Sequence, residues 1–193
     1  MPVITTPGKY RFAWYVRLFF WNQRRRYGAV LEPARLWGRT PRVFTAVALL
    51  YGALDRRSSP IEPALRTLVT VRVSQINVCS FCVDINSATA LKRGVSEEKL
   101  AALADFAASN LFTEREKAAL HYVEAVTYTD RRPTETHFAA LRQYFSDDAI
   151  IELTGLTAFQ NLSSKFNAAL GVPPQGFCQV APQPRADSRV ESR

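Results

Sequence analysis

The chain has 193 residues, 47% of them apolar, and a formal charge of +8 from 25 Lys/Arg against 17 Asp/Glu. That length allows one sizeable domain whose core needs no disulfide staples, and three cysteines, two of them only three apart, do not make a secreted disulfide framework. No run of about 18 apolar residues offers a membrane span. The N-terminal stretch is broken by Lys9, Arg11 and Arg17 and lacks a signal-peptide cleavage pattern, so a cytoplasmic location is expected.

The charge is unevenly placed. Residues 1–72 hold thirteen Lys/Arg and three Asp/Glu, a net of +10, and the remainder holds twelve and fourteen, a net of −2. Such a first half suits nucleic acid, anionic lipid or an acidic partner. No Cys/His finger or aromatic-basic strand pattern accompanies it, so neither a nucleic-acid nor a membrane partner is expected.

Helical signals run from end to end. Residues 10–27, YRFAWYVRLFFWNQRRRY, read as an aromatic helix closed by Gly28. It is too apolar to stand alone and should pack on the body or on a second subunit, with a membrane-surface helix as the second reading. A connector over Glu32–Gly38 leads to Thr40-Pro41, an N-cap followed by proline at the first helical position, opening a helix to about Leu54. After a polar linker, Ser59-Pro60-Ile61-Glu62 has the form of a capping box. The next helix carries Leu65, Leu68, Val69, Val71, Val73 and Ile76, an apolar set expected to be deeply buried.

The segment CSFCVDINSATALKR follows and stops at Gly94. Ser96 caps a short helix through Phe106, and Thr113 to Glu116 form a second capping box for a helix reaching about Thr127. Thr134 and Ser146 open further helices, the last ending near Leu170 before Gly171. Beyond lies a Pro-rich stretch, residues 172–193, expected to be extended or disordered and containing the third cysteine, Cys178. With no convincing hairpin or Gly-rich βα turn, the pattern predicts an all-α, compact multi-helix bundle.

Cys79-Ser80-Phe81-Cys82 is the feature that carries chemistry. On a helix the two sulfurs share a face, near enough to form a disulfide. In a first turn, free amide N–H groups stabilise a thiolate. Hydroperoxide reduction fits: one thiolate attacks oxygen and becomes a sulfenic acid, the second sulfur condenses with it, and a thiol reductant restores the pair. Two inert cysteines filling a helix interface is the competing reading. A zinc site would need a second Cys pair, which is absent, so no metal is expected. No cofactor is expected either. The chain has no dinucleotide-binding glycine fingerprint, and Val83 rather than histidine follows Cys82, which excludes haem attachment.

Residues 65–69, LRTLV, with residues 72–82, RVSQINVCSFC, resemble the core of the carboxymuconolactone decarboxylase and alkylhydroperoxidase-D-like family. Residues 152–161, ELTGLTAFQN, are similar to the C-terminal helix of its peroxidase-related branch. The resemblance spans about residues 40–171. It implies an alkylhydroperoxidase-D-like domain there, with residues 1–39 as an aromatic helical arm and connector. It also implies a homo-oligomer, and Cys82 as the sulfur that attacks peroxide with Cys79 resolving it.

Two positions depart from the family's redox pattern. A glutamate usual twelve residues before the first cysteine is Thr67 here, and a histidine usual four residues after the second is Asn86. Neither titrates near neutrality, though both can hydrogen-bond a thiolate or an ordered water, so turnover should be slow. His121, near Tyr122 and Glu124, is the first candidate for a displaced imidazole; His137 is expected to be exposed and Asp84 to point elsewhere. Lactone decarboxylation, the other branch, would need catalytic histidines that are not apparent. The expected function is a thiol peroxidase or disulfide oxidoreductase acting on a hydroperoxide or disulfide substrate with a thiol reductant. The alternative is a non-catalytic helical oligomer that keeps the scaffold.

Overall fold

The computed structural model describes residues 3–179, and among them all regular structure is helical. The order is α1 (Trp14–Tyr27), α2 (Glu32–Trp37), α3 (Pro41–Leu54), α4 (Pro63–Ile76), α5 (Ser80–Lys92), α6 (Glu97–Ala101) continued by a 3₁₀ turn (Ala102–Asp105), α7 (Glu114–Thr127), α8 (Glu135–Arg142) and α9 (Asp147–Ala169). None of these helices is long and apolar enough to cross a membrane.

α4 sits at the centre, with ten of its fourteen residues buried, as expected of a helix that is apolar on more than one face. Leu65, Val69 and Val73 pack against Val123 of α7, Leu141 of α8 and Leu153 of α9. Leu68 and Val71 face the opposite way, onto Ala90 of α5, Leu100 and Leu103, Phe106, and Leu120 of α7. α4 thus closes two cores at once, and its C-terminal end carries the chain into α5. The buried arginines of α4 both have partners. Arg72 forms an ion pair with Glu124 and donates to Gln75 Oε1 at 3.2 Å, while Arg66 donates to the Arg56 carbonyl at 2.9 Å.

Helix starts are set by side-chain caps at Ser96, Thr113 and Ser146, whose oxygens accept the N–H of Lys99, Glu116 and Ala149 at 3.2 Å each. The expected capping box at Ser59 does not form. Pro63 opens α4, and a residue preceding proline is driven out of the helical region, so Glu62 stays extended at ψ 144° and the helix cannot begin earlier. Ser59 instead bonds the Glu152 carboxylate on α9, and Glu62 pairs with Arg115.

Two further differences concern the N-terminal region. α1 begins at Trp14 rather than near residue 10, and the expected connector contains α2, a short helix that buries Pro33, Ala34 and Leu36. Val16 and Phe20 of α1 pack on Ala34 and on Phe44 of α3, while Trp37 stacks on Phe166 of α9 at a centroid distance of 3.7 Å. The arm is therefore joined to the body through α2. Residues 172–179 carry no helix and lie against α5, whereas the rest of the Pro-rich stretch, 180–193, lies outside the described residues.

Candidate active site

The turn between α4 and α5 delivers the cysteines. α4 ends in a Schellman motif: the Val78 N–H donates to the Gln75 carbonyl at 3.1 Å, and the Cys79 N–H donates to the Ser74 carbonyl at 3.0 Å. The left-handed residue this motif requires is Val78, at φ 51°, where glycine would be usual and a β-branched side chain is strained. Asn77 fastens the turn to α9 by donating to Asn161 Oδ1 at 2.9 Å and Ser164 Oγ at 2.8 Å. The chain leaves one helix at Asn77 and enters the next two residues later.

Cys79 is the N-cap of α5, and its sulfur accepts the Cys82 N–H at 3.2 Å. The helix thus supplies one of its unsatisfied amides to a sulfur, in the position where a side-chain oxygen normally caps. Cys79 and Cys82 lie at disulfide distance with their Cα atoms 5.3 Å apart. The Cys82 sulfur has a partner from α9, accepting from Asn167 Nδ2 at 3.2 Å. Both cysteines are buried, 1% and 2% exposed, beneath Leu36 of α2, Phe166 and Leu170 at the end of α9, and Val172 and Phe177 beyond it.

Thr67 and Asn86 meet at a cavity that neither cysteine lines. Asn86, one helical turn beyond Cys82, donates to Ser74 Oγ at 3.3 Å, and Gln160 of α9 donates to the same oxygen at 2.9 Å. The Ser74 hydroxyl in turn donates to the Thr70 carbonyl at 2.6 Å. Thr67 donates back into its own helix, to the Ala64 carbonyl at 2.7 Å. Thr67, Thr70, Asn86 and Gln160 line a cavity of about 40 Å³ that extends toward Arg66 and Arg93. A cavity of that size has room for a water molecule, with these polar groups along part of its wall.

The other candidates lie elsewhere. His121 is exposed and packs edge-on to Phe106, ring centroids 4.7 Å apart. His137 accepts the Thr134 N–H at 3.1 Å and so completes the start of α8. Glu124 is committed to Arg72, and Arg131 stands 3.7 Å away. Asp84 points away from the sulfurs, accepting the backbone N–H groups of Gln175, Gly176 and Cys178 at 2.7–2.8 Å.

Sequence reading passed over Asn167, Gln160 and Ser74. A signal existed: Thr157, Gln160, Ser164 and Asn167 recur at helical spacing along one face of α9, and all four are buried. A polar stripe turned inward needs partners: Gln160, Ser164 and Asn167 find them on α4, α5 and the turn between, at Ser74, Asn77 and Cys82, while Thr157 donates to the Leu153 carbonyl of its own helix.

The model of the carboxymuconolactone decarboxylase family matches residues 41–125, from the start of α3 to near the end of α7, with the cysteine turn inside the match. A curated relative, the uncharacterised protein YnjA of Escherichia coli (strain K12), is 42% identical over 160 residues, 83% of this chain and 88% of YnjA. The chain belongs to the carboxymuconolactone decarboxylase family. Within it, the fold is that of the alkylhydroperoxidase-D-like, peroxidase-related members. An uncharacterised peroxidase-related protein from Ralstonia eutropha JMP134, described as an alkylhydroperoxidase AhpD core, superposes with a TM-score of 0.79 at 21% identity, over 91% of this chain and 94% of that one. The debrominase Bmp8 superposes with a TM-score of 0.75 at 23% identity, over 86% and 88%. In this carboxymuconolactone decarboxylase family member, the fold is that of alkylhydroperoxidase-D-like structures, and it holds a cysteine pair at disulfide distance.

Proposed function

We propose that the protein is a thiol-dependent peroxidase or disulfide oxidoreductase working through Cys79 and Cys82. The observation that carries this reading is the pairing of the two sulfurs at the start of α5, with a helix amide donated to one of them. In the first half-reaction, Cys82 thiolate attacks the terminal oxygen of a hydroperoxide. An S–O bond forms, the O–O bond breaks, and the alkoxide leaves and takes a proton from water. In the second, Cys79 thiolate attacks the sulfenic sulfur; the S–S bond forms and hydroxide leaves as water after protonation. A dithiol or two monothiols then reduce the disulfide by exchange.

Thr67 and Asn86 are proposed to hold the water that carries these protons, in place of a glutamate and a histidine. The water-sized cavity they share with Gln160, which neither cysteine lines, supports the held water. A water passed between neutral groups relays less effectively than a titrating pair, and general acid–base help is worth roughly 10²–10⁴-fold, so turnover is slow. His121, exposed beside Phe106, is given no part. Residues 40–171 are proposed as the redox domain and residues 1–39 as an arm that covers it through Leu36. The apolar cover over both buried sulfurs suits a small organic hydroperoxide.

The second reading, a scaffold without turnover, is favoured by that same burial and by Thr67 and Asn86. Steady-state consumption of tert-butyl hydroperoxide with dithiothreitol as reductant separates the two. Consumption that disappears in Cys79→Ser and in Cys82→Ser supports the peroxidase; a rate equal to that of dithiothreitol alone supports the scaffold. Replacing Thr67 by Glu and Asn86 by His together should raise an existing rate.

A further inference from the structure

We propose that Asn167 is a catalytic residue: its side-chain N–H stabilises the Cys82 thiolate, and its carbonyl oxygen receives the O–H of the incoming hydroperoxide and then of the sulfenic acid. This rests on the peroxidase reading for the substrate, but its first half concerns the thiolate alone.

Three observations lead there. Asn167 Nδ2 lies 3.2 Å from Cys82 Sγ, within the range of a hydrogen bond to sulfur. The residue is 1% exposed, so this amide is withdrawn from water. Its Oδ1 is buried and has no hydrogen-bond partner among the described residues. The orientation of the amide follows from chemistry. A disulfide sulfur carries no proton and can only accept, so Oδ1 turned toward it would set acceptor against acceptor. Nδ2 must face the sulfur, which leaves the oxygen unsatisfied. A buried carbonyl without a partner forfeits the hydrogen bonds water would give it, and a native structure keeps few of them.

The reaction supplies the missing donor. A hydroperoxide carries its proton on the terminal oxygen, the same oxygen that sulfur attacks. That proton stays with the oxygen when the O–O bond breaks and becomes the S–OH proton of the sulfenic acid. One acceptor fixed beside the sulfur therefore serves substrate and intermediate alike. Asn167 Nδ2 and Oδ1 are separated by the width of one amide, so a group bonded to Oδ1 lies next to Cys82. The donor also distinguishes the sulfurs. Cys79 draws its N–H from the backbone of α5, whereas Cys82 draws one from a side chain that substitution can remove.

The test uses the full chain, reduced and handled without oxygen. The rate of iodoacetamide alkylation is followed against pH, with Cys79 and Cys82 distinguished by peptide mass spectrometry. In Asn167→Leu, which matches asparagine in size, the Cys82 profile should move up by about one pH unit, an approximately tenfold slower reaction at neutral pH, with Cys79 little changed. An unchanged Cys82 profile overturns the proposal. Should Asn167→Leu fail to fold, the wild-type protein decides the matter through the ¹⁵N-resolved resonances of the Asn167 amide. These should shift on reduction of the disulfide and again as Cys82 ionises; no shift on either step overturns it. Hydroperoxide consumption is measured in parallel. A shifted Cys82 profile with no wild-type consumption removes the peroxidase reading and the carbonyl's role, leaving the thiolate contact. Wild-type consumption with an unchanged profile in Asn167→Leu removes the Asn167 proposal alone.

Discussion

Asp84 and Cys178 are joined across 94 positions of sequence: the Cys178 N–H donates to the Asp84 carboxylate at 2.7 Å, while the Gln175 and Gly176 N–H groups bind its other oxygen at 2.8 Å each. Asp84 is 3% exposed, and among the described residues its carboxylate is bonded by backbone N–H groups alone. Gly176, at φ 75°, gives the turn that aims consecutive amides at one point. The consequence is local and specific. Val172 and Phe177 are held over the hydrophobic cluster that contains Cys79 and Cys82.

Replacing Asp84 by Ala should release that segment. Hydrogen bonds to a charged group contribute roughly 1.5–3 kcal/mol each, but the freed amides regain water, so a loss of about 2–4 kcal/mol is expected. Urea denaturation measures it, and limited proteolysis should cut the variant after residue 171 sooner than the wild type. Asp84→Asn, which keeps one acceptor, should lose less. A midpoint unchanged in Asp84→Ala would mean that the carboxylate does not hold the segment.

Val78→Gly should stabilise the protein. A left-handed conformation costs an L residue roughly 1–2 kcal/mol, and glycine's extra freedom when unfolded costs about 0.5–1 kcal/mol. Val78 is half exposed and contributes little packing. The melting temperature should rise by about 1–3 °C. A fall would show that the valine side chain is required at the turn for another reason.

Acid should weaken the link between the α3–α4 linker and α9. Burial alone would raise the Glu152 pKa, but hydrogen bonds from Ser59 and Arg56, with the positive charge of Arg56 and Arg66, outweigh it and hold the carboxyl below its usual value. A carboxyl depressed in the folded state stabilises the fold fully above its unfolded pKa, about 4.3, and loses that contribution as pH falls toward the folded value. The stability difference between wild type and Glu152→Gln should therefore be constant near neutrality and shrink below about pH 4.3. Equal differences at pH 7 and pH 3 would contradict this.

Self-association is expected through α3. Its sequence, PRVFTAVALLYGAL, has no charged residue after Arg42, yet only Phe44 is buried, and Leu49 is 69% exposed. The outward side of α1 adds Trp14, Leu18 and Trp21 to the uncovered apolar surface. Sedimentation at micromolar concentration should find more than one copy per particle, and Leu49→Asp with Leu50→Asp should shift it toward monomer. A wild-type monomer would remove this expectation.

Much of this was legible before any coordinates, and the misses have physical causes. Caps announced themselves where the capping side chain had no better partner, as at Ser96, Thr113 and Ser146. Ser59 misled because a carboxylate 93 residues away competed for its hydroxyl, and Pro63 had already fixed the helix start. α2 is too short for periodicity to reveal, and its stability comes from burying Leu36 beneath the rest of the fold. The cysteine pair was visible from spacing. Its cover was not, because the contacts that make it join residues 31–36, 166–172 and 177 to α5. No local pattern encodes such long-range contacts, although the inward polar stripe ending at Asn167 came close.

Anaerobic single turnover tests the central claim most directly. Fully reduced protein is mixed with one equivalent of tert-butyl hydroperoxide, quenched by alkylation and digested. The account predicts the loss of two thiols per chain, recovery of a Cys79–Cys82 disulfide peptide, an unmodified Cys178 and one equivalent of tert-butanol. Retention of both thiols with the peroxide intact would contradict it.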